Sequence, residues 1–334
     1  MQKWLLSAGV ALLVLLLAAC GSDDGGNEAG NDQGTDETAS EHAVTIEDAT
    51  GNKTIEGLPE NIVALEWYNA EQLLSLGIQP AGVPNIDGFN SWMNIEEELG
   101  DSVQDIGTRA EPNLEAISRL EPDLIIAAKF RHEQMLDRLN DIAPVVMFAP
   151  YSDKGNANLY DELMDEYKTI AKITDKQEEA EKALADLNGF YEKQKQRLAE
   201  AGLEDASYIM TMAFSSQNSP VLRLYANNSY PVQALNNVGL TNAYETDEPQ
   251  AYGFTEIGIE ALQRFQDDNL HFFSVVQEDD NIFENQLKGN PAWENLSFAK
   301  GERAHYLPGD TPVIGGVSSA KALVKQIVDT MVNE

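Results

Sequence analysis

A long helical stretch, residues 156–202, separates two halves of the chain. Apolar side chains recur in it at three- and four-residue spacing, which predicts helices that bury one face. They are Leu159, Leu163, Tyr167 and Ile170 in a first stripe, and Leu184, Leu187 and Tyr191 in a second. Thr174 and Asp175 interrupt the pattern, and Asp175 with Glu178 is suited to cap a new helix. The stretch therefore predicts two consecutive helices.

Segments on either side of this stretch resemble each other. Residues 115–123 match residues 260–268 in the register of Glu, Ala, Arg and Asp, and a β-type run follows each copy. Upstream, residues 70–78 resemble residues 232–240, and each helical pattern ends at a glycine suited to a left-handed C-cap. The repeated βα order predicts an α/β fold with two lobes, each around a mostly parallel sheet, and a groove between them. One large α/β domain is the alternative.

The N-terminus has the pattern of a secretory signal. A short positive start precedes an almost wholly apolar run that ends at Ala19, which predicts a signal peptide over residues 1–19. The residues Leu17-Ala18-Ala19-Cys20 resemble the lipobox of bacterial lipoproteins, which implies cleavage before Cys20 and a diacylglycerol on its sulfur. Residues 20–43 are small and polar, and predict a flexible acidic tether. This places the folded part at the outer face of a bacterial cell membrane; an incidental cysteine at the edge of the signal is the alternative.

The charge of the chain limits its partners. With 22 Lys and Arg against 56 Asp and Glu, the formal net charge is -34, which argues against nucleic acid as a partner. Because carboxylates are so numerous, an arginine in an unusual place is more informative than an acidic residue.

Aromatic and cationic side chains follow the predicted strands of the first half. Trp67, Tyr68, Trp92, Arg109 and Arg131 all lie in segments that directly follow these strands. Loops at the carboxyl ends of parallel strands converge on the ligand crevice, so we expect these side chains to face one site. The alternatives are surface ion pairs for the arginines and packing on their own lobe for the tryptophans.

Several motifs resemble the iron-siderophore substrate-binding proteins of ABC importers. They are Val63–Trp67, Ile106–Ile117, Pro122–Ile126 and Arg131-His132 in the first half, and Tyr252–Phe254 and Val276–Pro291 in the second. The second-half motifs are most similar to binders of citrate-hydroxamate siderophores of the schizokinen and arthrobactin type. The resemblance implies a helical-backbone (class III) fold in which a single long helix joins the lobes. The resulting boundaries are residues 44–155 for the N-terminal lobe, 156–175 for the connecting helix and 176–334 for the C-terminal lobe.

The resemblance also implies which residues meet the ligand in the second half. Arg223 and Tyr225 alternate in a predicted strand and so share a face, which in this family looks into the groove. Tyr252 is a further candidate, and His132 is expected to be a second hydrogen-bonding group beside Arg131. For the two tyrosines, core positions with hydrogen-bonded hydroxyls remain the alternative. The extra arginines that some citrate binders carry are missing here, which favours a ligand with one or few free carboxylates.

The remaining expectations concern partners and chemistry. Glu115 and Glu260 occupy matching places in the repeats, and the family implies that they contact the membrane permease; favourable charge at a helix N-terminus is the alternative. A siderophore already surrounds its ferric ion, so we expect no protein metal ligands and no further cofactor. The four histidines lie far apart in sequence, and we find no nucleophile elbow, phosphate loop or acid-base set. We therefore expect a monomeric binding protein and not an enzyme.

Ferric citrate or another hydroxamate is the nearest alternative ligand. More distant alternatives are haem or cobalamin binding, an extracellular α/β hydrolase and an adhesion protein.

Overall fold

The structure is a computed structural model that describes residues 42–333. The predicted signal peptide, Cys20 and nearly all of the predicted tether lie outside the described residues. Ala43, the last residue of that predicted tether, already begins a β-strand. No helix within residues 42–333 combines the length and the apolar character that a membrane crossing requires.

The first half forms an antiparallel hairpin and a five-stranded sheet. The hairpin pairs β1 (Ala43–Asp48) with β2 (Gly51–Glu56). The sheet has the order β5-β4-β3-β6-β7, and all its pairings are parallel. Its strands are β3 (Ile62–Ala64), β4 (Gly82–Val83), β5 (Gln104–Asp105), β6 (Leu124–Ala128) and β7 (Val145–Phe148). The helices of this half are α1 (Trp67–Ser75), α2 (Ile86–Trp92), α3 (Leu114–Arg119), α4 (Lys129–His132) and α5 (Leu136–Asn140). Short 3₁₀ turns cover Glu133–Met135 and Gly155–Ala157.

Two long helices follow, as the apolar spacing predicts: α6 (Leu159–Ile173) and α7 (Gln177–Glu200). The whole predicted stripe of α6 is buried. The predicted cap of α7 is wrong. Lys176 is the N-cap residue of α7, and no side chain caps the helix there. Asp175 lies one residue earlier, in the turn between the helices, where its backbone is left-handed with a φ of 55°.

The second half forms a mixed sheet with the order β11-β9-β8-β12-β13, and β10 also pairs with β8. Its strands are β8 (Ser207–Ser216), β9 (Ser219–Tyr225), β10 (Thr241–Asn242), β11 (Phe254–Ile257), β12 (His271–Val276) and β13 (Ala304–Pro308). The pairings of β8 with β10 and β12, and of β12 with β13, are parallel. Those of β9 with β8 and β11 are antiparallel. The hairpin between β8 and β9 turns at Gln217 and Asn218, both with positive φ, which suits the twist of the strands.

The helices of the second half are α8 (Tyr230–Asn236), α9 (Ile282–Asn285), α10 (Pro291–Glu294), α11 (Ser297–Lys300) and α12 (Val317–Val332). Short 3₁₀ turns cover Ala251–Gly253, Ile259–Arg264 and Glu278–Asp280. The repeat is real in structure, since α1 and α8 are followed by Gly77 and Gly239 with φ of 77° and 90°. The second Glu-Ala segment is a 3₁₀ turn, whereas the first is α3.

The largest apolar core contains residues of both halves. Side chains of α1, α6, α7, α8 and α12 pack there against one face of each sheet, for example Leu73, Leu163, Leu187 and Val324. The opposite face of each sheet has a smaller core of its own. The two lobes are therefore joined by a common helical layer rather than by a flexible linker.

Candidate ligand-binding site

A cleft of about 800 Å³ lies where loops of the two sheets face each other. From the first half it is lined by residues that follow the carboxyl ends of β3, β4, β5, β6 and β7, in agreement with the position expected for a parallel sheet. The lining side chains are Trp67, Trp92, Met93, Arg109, Phe130, Arg131, Tyr151, Leu159, Met212, Arg223, Tyr225, Ser229, Tyr230, Pro231, Tyr252, Phe254, Glu256, Thr311, Val313 and Ile314. Seven of the nine predicted ligand residues are in this set.

Arg109 and Arg131 share one buried carboxylate, that of Glu66. Arg131 Nε lies 2.5 Å from Glu66 Oε1, and Arg109 Nη1 lies 3.6 Å from Glu66 Oε2. The Glu66 side chain is 1% exposed, while each arginine keeps about a third of its side chain exposed. Burial raises the pKa of the Glu66 carboxyl, and the guanidinium groups of Arg131 and Arg109 oppose that rise. Glu66 thus anchors both arginines from behind the cleft.

Trp67 supports one of these arginines. The Arg109 guanidinium carbon lies 3.8 Å from the centre of the Trp67 ring, a cation–π contact. The indole N–H donates to the Pro84 carbonyl at 2.8 Å. Trp67 therefore both packs on its own lobe, as the alternative interpretation had it, and lines the cleft.

Tyr68 and His132 do not line the cleft; they are buried behind it. His132 Nδ1 accepts a hydrogen bond from the Ala128 N–H at 3.0 Å, so Nε2 carries the proton and donates to the Arg109 carbonyl at 2.8 Å. Burial lowers the pKa of His132, which keeps the ring neutral. Burial also disfavours the charged form of Tyr68 and so raises the pKa of its hydroxyl. The nearby carboxyl groups of Glu166 and Glu66 add to the rise. His132 fixes the backbone that carries Arg109 instead of offering a group to the ligand.

An aromatic cluster crosses from one lobe to the other. Tyr151, which follows β7, lies 4.8 Å from Phe130 and 4.7 Å from Tyr252, measured between ring centroids. The Tyr252 ring in turn stacks with the Phe254 ring, with 6.4 Å between the two ring centroids. The backbone of Tyr252 is left-handed, with a φ of 58°, and its side chain is 50% exposed. Phe130, Tyr151 and Phe254 were not predicted, although Tyr151 obeys the same strand-end rule as Arg131.

Arg223 is the arginine that the second half contributes to the described lining of the cleft, and it too has a carboxylate partner. Arg223 and Glu256 are opposite each other on β9 and β11, with Arg223 Nε 3.1 Å from Glu256 Oε1. The guanidinium also lies against the rings of Phe214 and Phe254, at 5.0 and 4.8 Å. Tyr225, on the same face of β9, lines the cleft from a buried position. The predicted alternation of this strand is confirmed.

A recess adjoins the cleft beyond Arg223. It shares Trp92, Met212 and Arg223 with the cleft and adds Asp279 and Asp280. Asp280 Oδ2 accepts a hydrogen bond from the Ser215 N–H at 2.7 Å. The recess therefore adds the negative charges of Asp279 and Asp280 next to Arg223.

The two candidate docking residues lie outside the cleft, each in the first turn of its helix. Glu115 is 83% exposed and pairs with Arg119 at 2.7 Å, and Glu260 is exposed in the matching 3₁₀ turn. Two of the four histidines, which lie far apart in sequence, meet in the fold. His271 Nδ1 and His305 Nε2 are 3.1 Å apart, because β12 and β13 are neighbours in the sheet. Within residues 42–333 no group of three or more His, Cys, Asp or Glu side chains is placed to hold a metal ion.

Two α/β lobes on a common helical layer, with a cleft between their facing loops, define a substrate-binding protein. The chain belongs to the periplasmic binding protein family, which matches residues 62–311. The family predicted from the motifs around Arg109 and Tyr252 is thereby confirmed.

Individual relatives support this assignment. The chain is 29% identical over 328 residues to the Fe(3+)-citrate-binding protein YfmC of Bacillus subtilis (strain 168), covering 97% of this chain and 98% of that protein. It is 29% identical over 252 residues to the iron(3+)-hydroxamate-binding protein FhuD of Escherichia coli (strain K12), covering 75% and 80%. Among solved structures, the Fe3+-Desferal-bound siderophore-binding protein FhuD from Vibrio cholerae superposes with a TM-score of 0.73 at 28% identity, covering 82% of this chain and 98% of that one.

Proposed function

We propose that this chain captures a ferric siderophore of the citrate-hydroxamate type in the cleft and delivers it to an ABC permease for iron uptake. The observation that carries the proposal is the convergence of Arg109, Arg131 and Arg223 with aromatic rings in one cleft between the lobes. Guanidinium groups pair with carboxylate or metal-bound oxygens, and aromatic rings cover the apolar linkers of a chelator. These side chains match the outside of an iron complex, so the iron ligands come from the siderophore.

The same proposal covers the molecule outside the cleft. It assigns residues 44–155 and 176–334 to the two lobes and residues 156–175 to the connecting helix. Cys20 carries the lipid that holds the chain, as a monomer, at the outer face of the cell membrane. The protein binds its ligand without converting it.

Ferric citrate is the second candidate ligand. It is favoured by the Bacillus relative named for ferric citrate, which covers nearly the whole chain. The pairing of all three cleft arginines with Glu66 or Glu256 argues against it, because a polycarboxylate needs unpaired cations.

Tryptophan fluorescence tests the proposal, because Trp67 and Trp92 line the cleft. The full chain, kept in mild detergent, is titrated with ferric schizokinen, a ferric trihydroxamate, ferric dicitrate and a ferric catecholate, each alongside its iron-free form. We expect saturable quenching at submicromolar ferric schizokinen and a weaker response to ferric dicitrate.

Two variants assign the signal. Trp92→Phe should lose part of the quenching, whereas Trp293→Phe should keep it, because Trp293 packs in the second-lobe core against Phe272. A tight response to ferric dicitrate alone would favour the second candidate. No response to any complex would contradict siderophore binding.

A further inference from the structure

Each arginine that lines the cleft, within the described residues, is matched to a glutamate. Arg109 and Arg131 share Glu66, and Arg223 pairs with Glu256. Three guanidinium groups thus face two carboxylates. The adjoining recess contributes Asp279 and Asp280 as well. The cleft and the recess together carry no excess of positive charge, although their most visible polar groups are arginines.

The two glutamates differ in burial, which sets how strongly each acts on a ligand. Glu66 is 1% exposed and lies beneath both arginines, so water screens its charge little. Glu256 is 53% exposed at the edge of the cleft, where solvent screens it strongly. An anionic ligand that contacts Arg109 or Arg131 therefore meets the field of Glu66 at the same time.

Resting on the proposed function, we propose that Glu66, assisted by Glu256, is an internal counter-anion that selects ferric complexes of low net charge and discriminates against polyanionic ones. A ferric trihydroxamate satisfies this condition, because three hydroxamate groups cancel the charge of the ferric ion. A citrate-hydroxamate complex without free carboxylates satisfies it too, because it carries at most one net negative charge. A complex with several free carboxylates does not satisfy it, because Glu66 and Glu256 already offset much of the arginine charge that it needs. Glu66 is thus a specificity-determining residue that acts through Arg109 and Arg131 and does not itself contact the ligand.

The test is a series of complexes that share one iron centre and differ in the charge of a terminal group. A linear ferric trihydroxamate is used with its terminal amine free, acetylated or succinylated, so the net charge is one positive, zero or one negative at an unchanged iron centre. Affinities are measured by fluorescence for the full chain in mild detergent. The readout is the ratio of affinity for the negative complex to affinity for the positive complex.

In Glu66→Gln we expect this ratio to rise about tenfold over wild type, since one poorly screened negative charge is removed beneath the arginines. In Glu256→Gln we expect a rise of about threefold, because that charge is solvent-screened. The matched control is Glu133→Gln, which makes the same chemical change at a residue that is 63% exposed, pairs with Lys129 and does not line the cleft. Its ratio should equal that of wild type.

A ratio that stays unchanged in Glu66→Gln, or that rises equally in Glu133→Gln, would overturn the inference. So would a parallel loss of affinity for all three complexes, because that is the signature of a purely positional role for Glu66. If Glu66→Gln does not fold, an unchanged ratio in the exposed Glu256→Gln variant overturns it. Failure of the wild-type chain to bind any of the three complexes would also overturn it; ferric schizokinen in the same titration then shows whether the proposed function still stands.

Discussion

At the scale of single residues, Glu66 shows how a buried charge depends on its partners. Its carboxylate is almost wholly buried, and its closest ion-pair partner is Arg131 at 2.5 Å. Removing one partner of such a pair leaves the other charge without compensation, which costs more than the pair contributes. Removing an exposed pair costs little, because water already solvates both groups.

We therefore expect Arg131→Met to lower the free energy of unfolding by about 2 kcal/mol. The double variant Glu66→Gln with Arg131→Met should lose clearly less than the sum of the two single changes, because the buried carboxylate is removed together with its closest partner and only the partly exposed Arg109 is left unpaired. The measurement is urea unfolding at pH 7. Arg119→Met is the control, since its partner Glu115 is exposed, and it should change stability by less than about 0.5 kcal/mol. Additive single changes would contradict the expected coupling.

The site residues could be predicted only in part. Arg109, Arg131 and Trp92 could be predicted because they lie in segments that follow strands, and the two arginines stand out in a chain with many carboxylates. Glu66 stands in the same strand-end position, but one carboxylate among 56 acidic residues carries no signal by itself. Its role depends on two arginines that are distant in sequence and meet it only in the folded sheet.

At the scale of elements, α12 depends on a carboxylate from the other half of the chain. Glu71, on α1, accepts hydrogen bonds from the N–H groups of Gly316 and Ser319, both at 2.8 Å, and from the Ser319 hydroxyl at 2.6 Å. These are free amides of the first turn of α12, so Glu71 caps that helix from outside it. Burial raises the pKa of Glu71 from 4.5 to about 7, and the bonds from Ser319 and Gly316 oppose the rise.

This shift predicts a pH dependence of stability. Between about pH 4.5 and pH 7 the folded chain holds a proton on Glu71 that the unfolded chain has lost, so the free energy of unfolding falls as the pH rises. The contribution is on the order of 3 kcal/mol over this interval. Denaturant unfolding at several pH values should show a flatter profile for Glu71→Gln than for wild type.

Ser319→Ala is the control for this experiment. It removes one hydrogen bond to Glu71 but keeps the carboxyl group, so it should lower stability and keep a falling profile that extends to higher pH than in wild type, because the lost bond opposed the rise in the pKa of Glu71. Identical slopes for wild type and Glu71→Gln would show that Glu71 stays ionised in the folded chain.

Elements were predicted well where their pattern was local. The stripe of α6 and the glycines after α1 and α8 follow from spacing and from the left-handed backbone that glycine favours. The antiparallel pairings of β9 with β8 and β11 were not predicted, because the direction of a strand depends on the turn before it. The short hairpin turn at Gln217 and Asn218 sets that direction here.

At the scale of the whole molecule, Glu115 and Glu260 are the proposed contacts with the permease. Both are exposed and lie away from the cleft lining, so changing them should not disturb the ligand. We expect Glu115→Gln with Glu260→Gln to lower siderophore-dependent iron uptake by about tenfold while cleft binding stays at the wild-type level.

Uptake of labelled iron by whole cells measures this effect, with fluorescence titration of the purified variant alongside. Glu133→Gln is the control, as an exposed glutamate that lies outside the repeated segments 70–78 and 115–123. Full uptake by the double variant would leave helix N-terminal charge as the role of Glu115 and Glu260.

The common helical layer has a consequence for cooperativity. The core around α1, α6, α7, α8 and α12 takes side chains from both halves, so neither lobe has a complete interior of its own. A chain cut between the lobes would leave each fragment with an apolar face that its missing half had covered. A substitution that weakens this shared interior therefore destabilises both halves, and with them both sides of the cleft, at once.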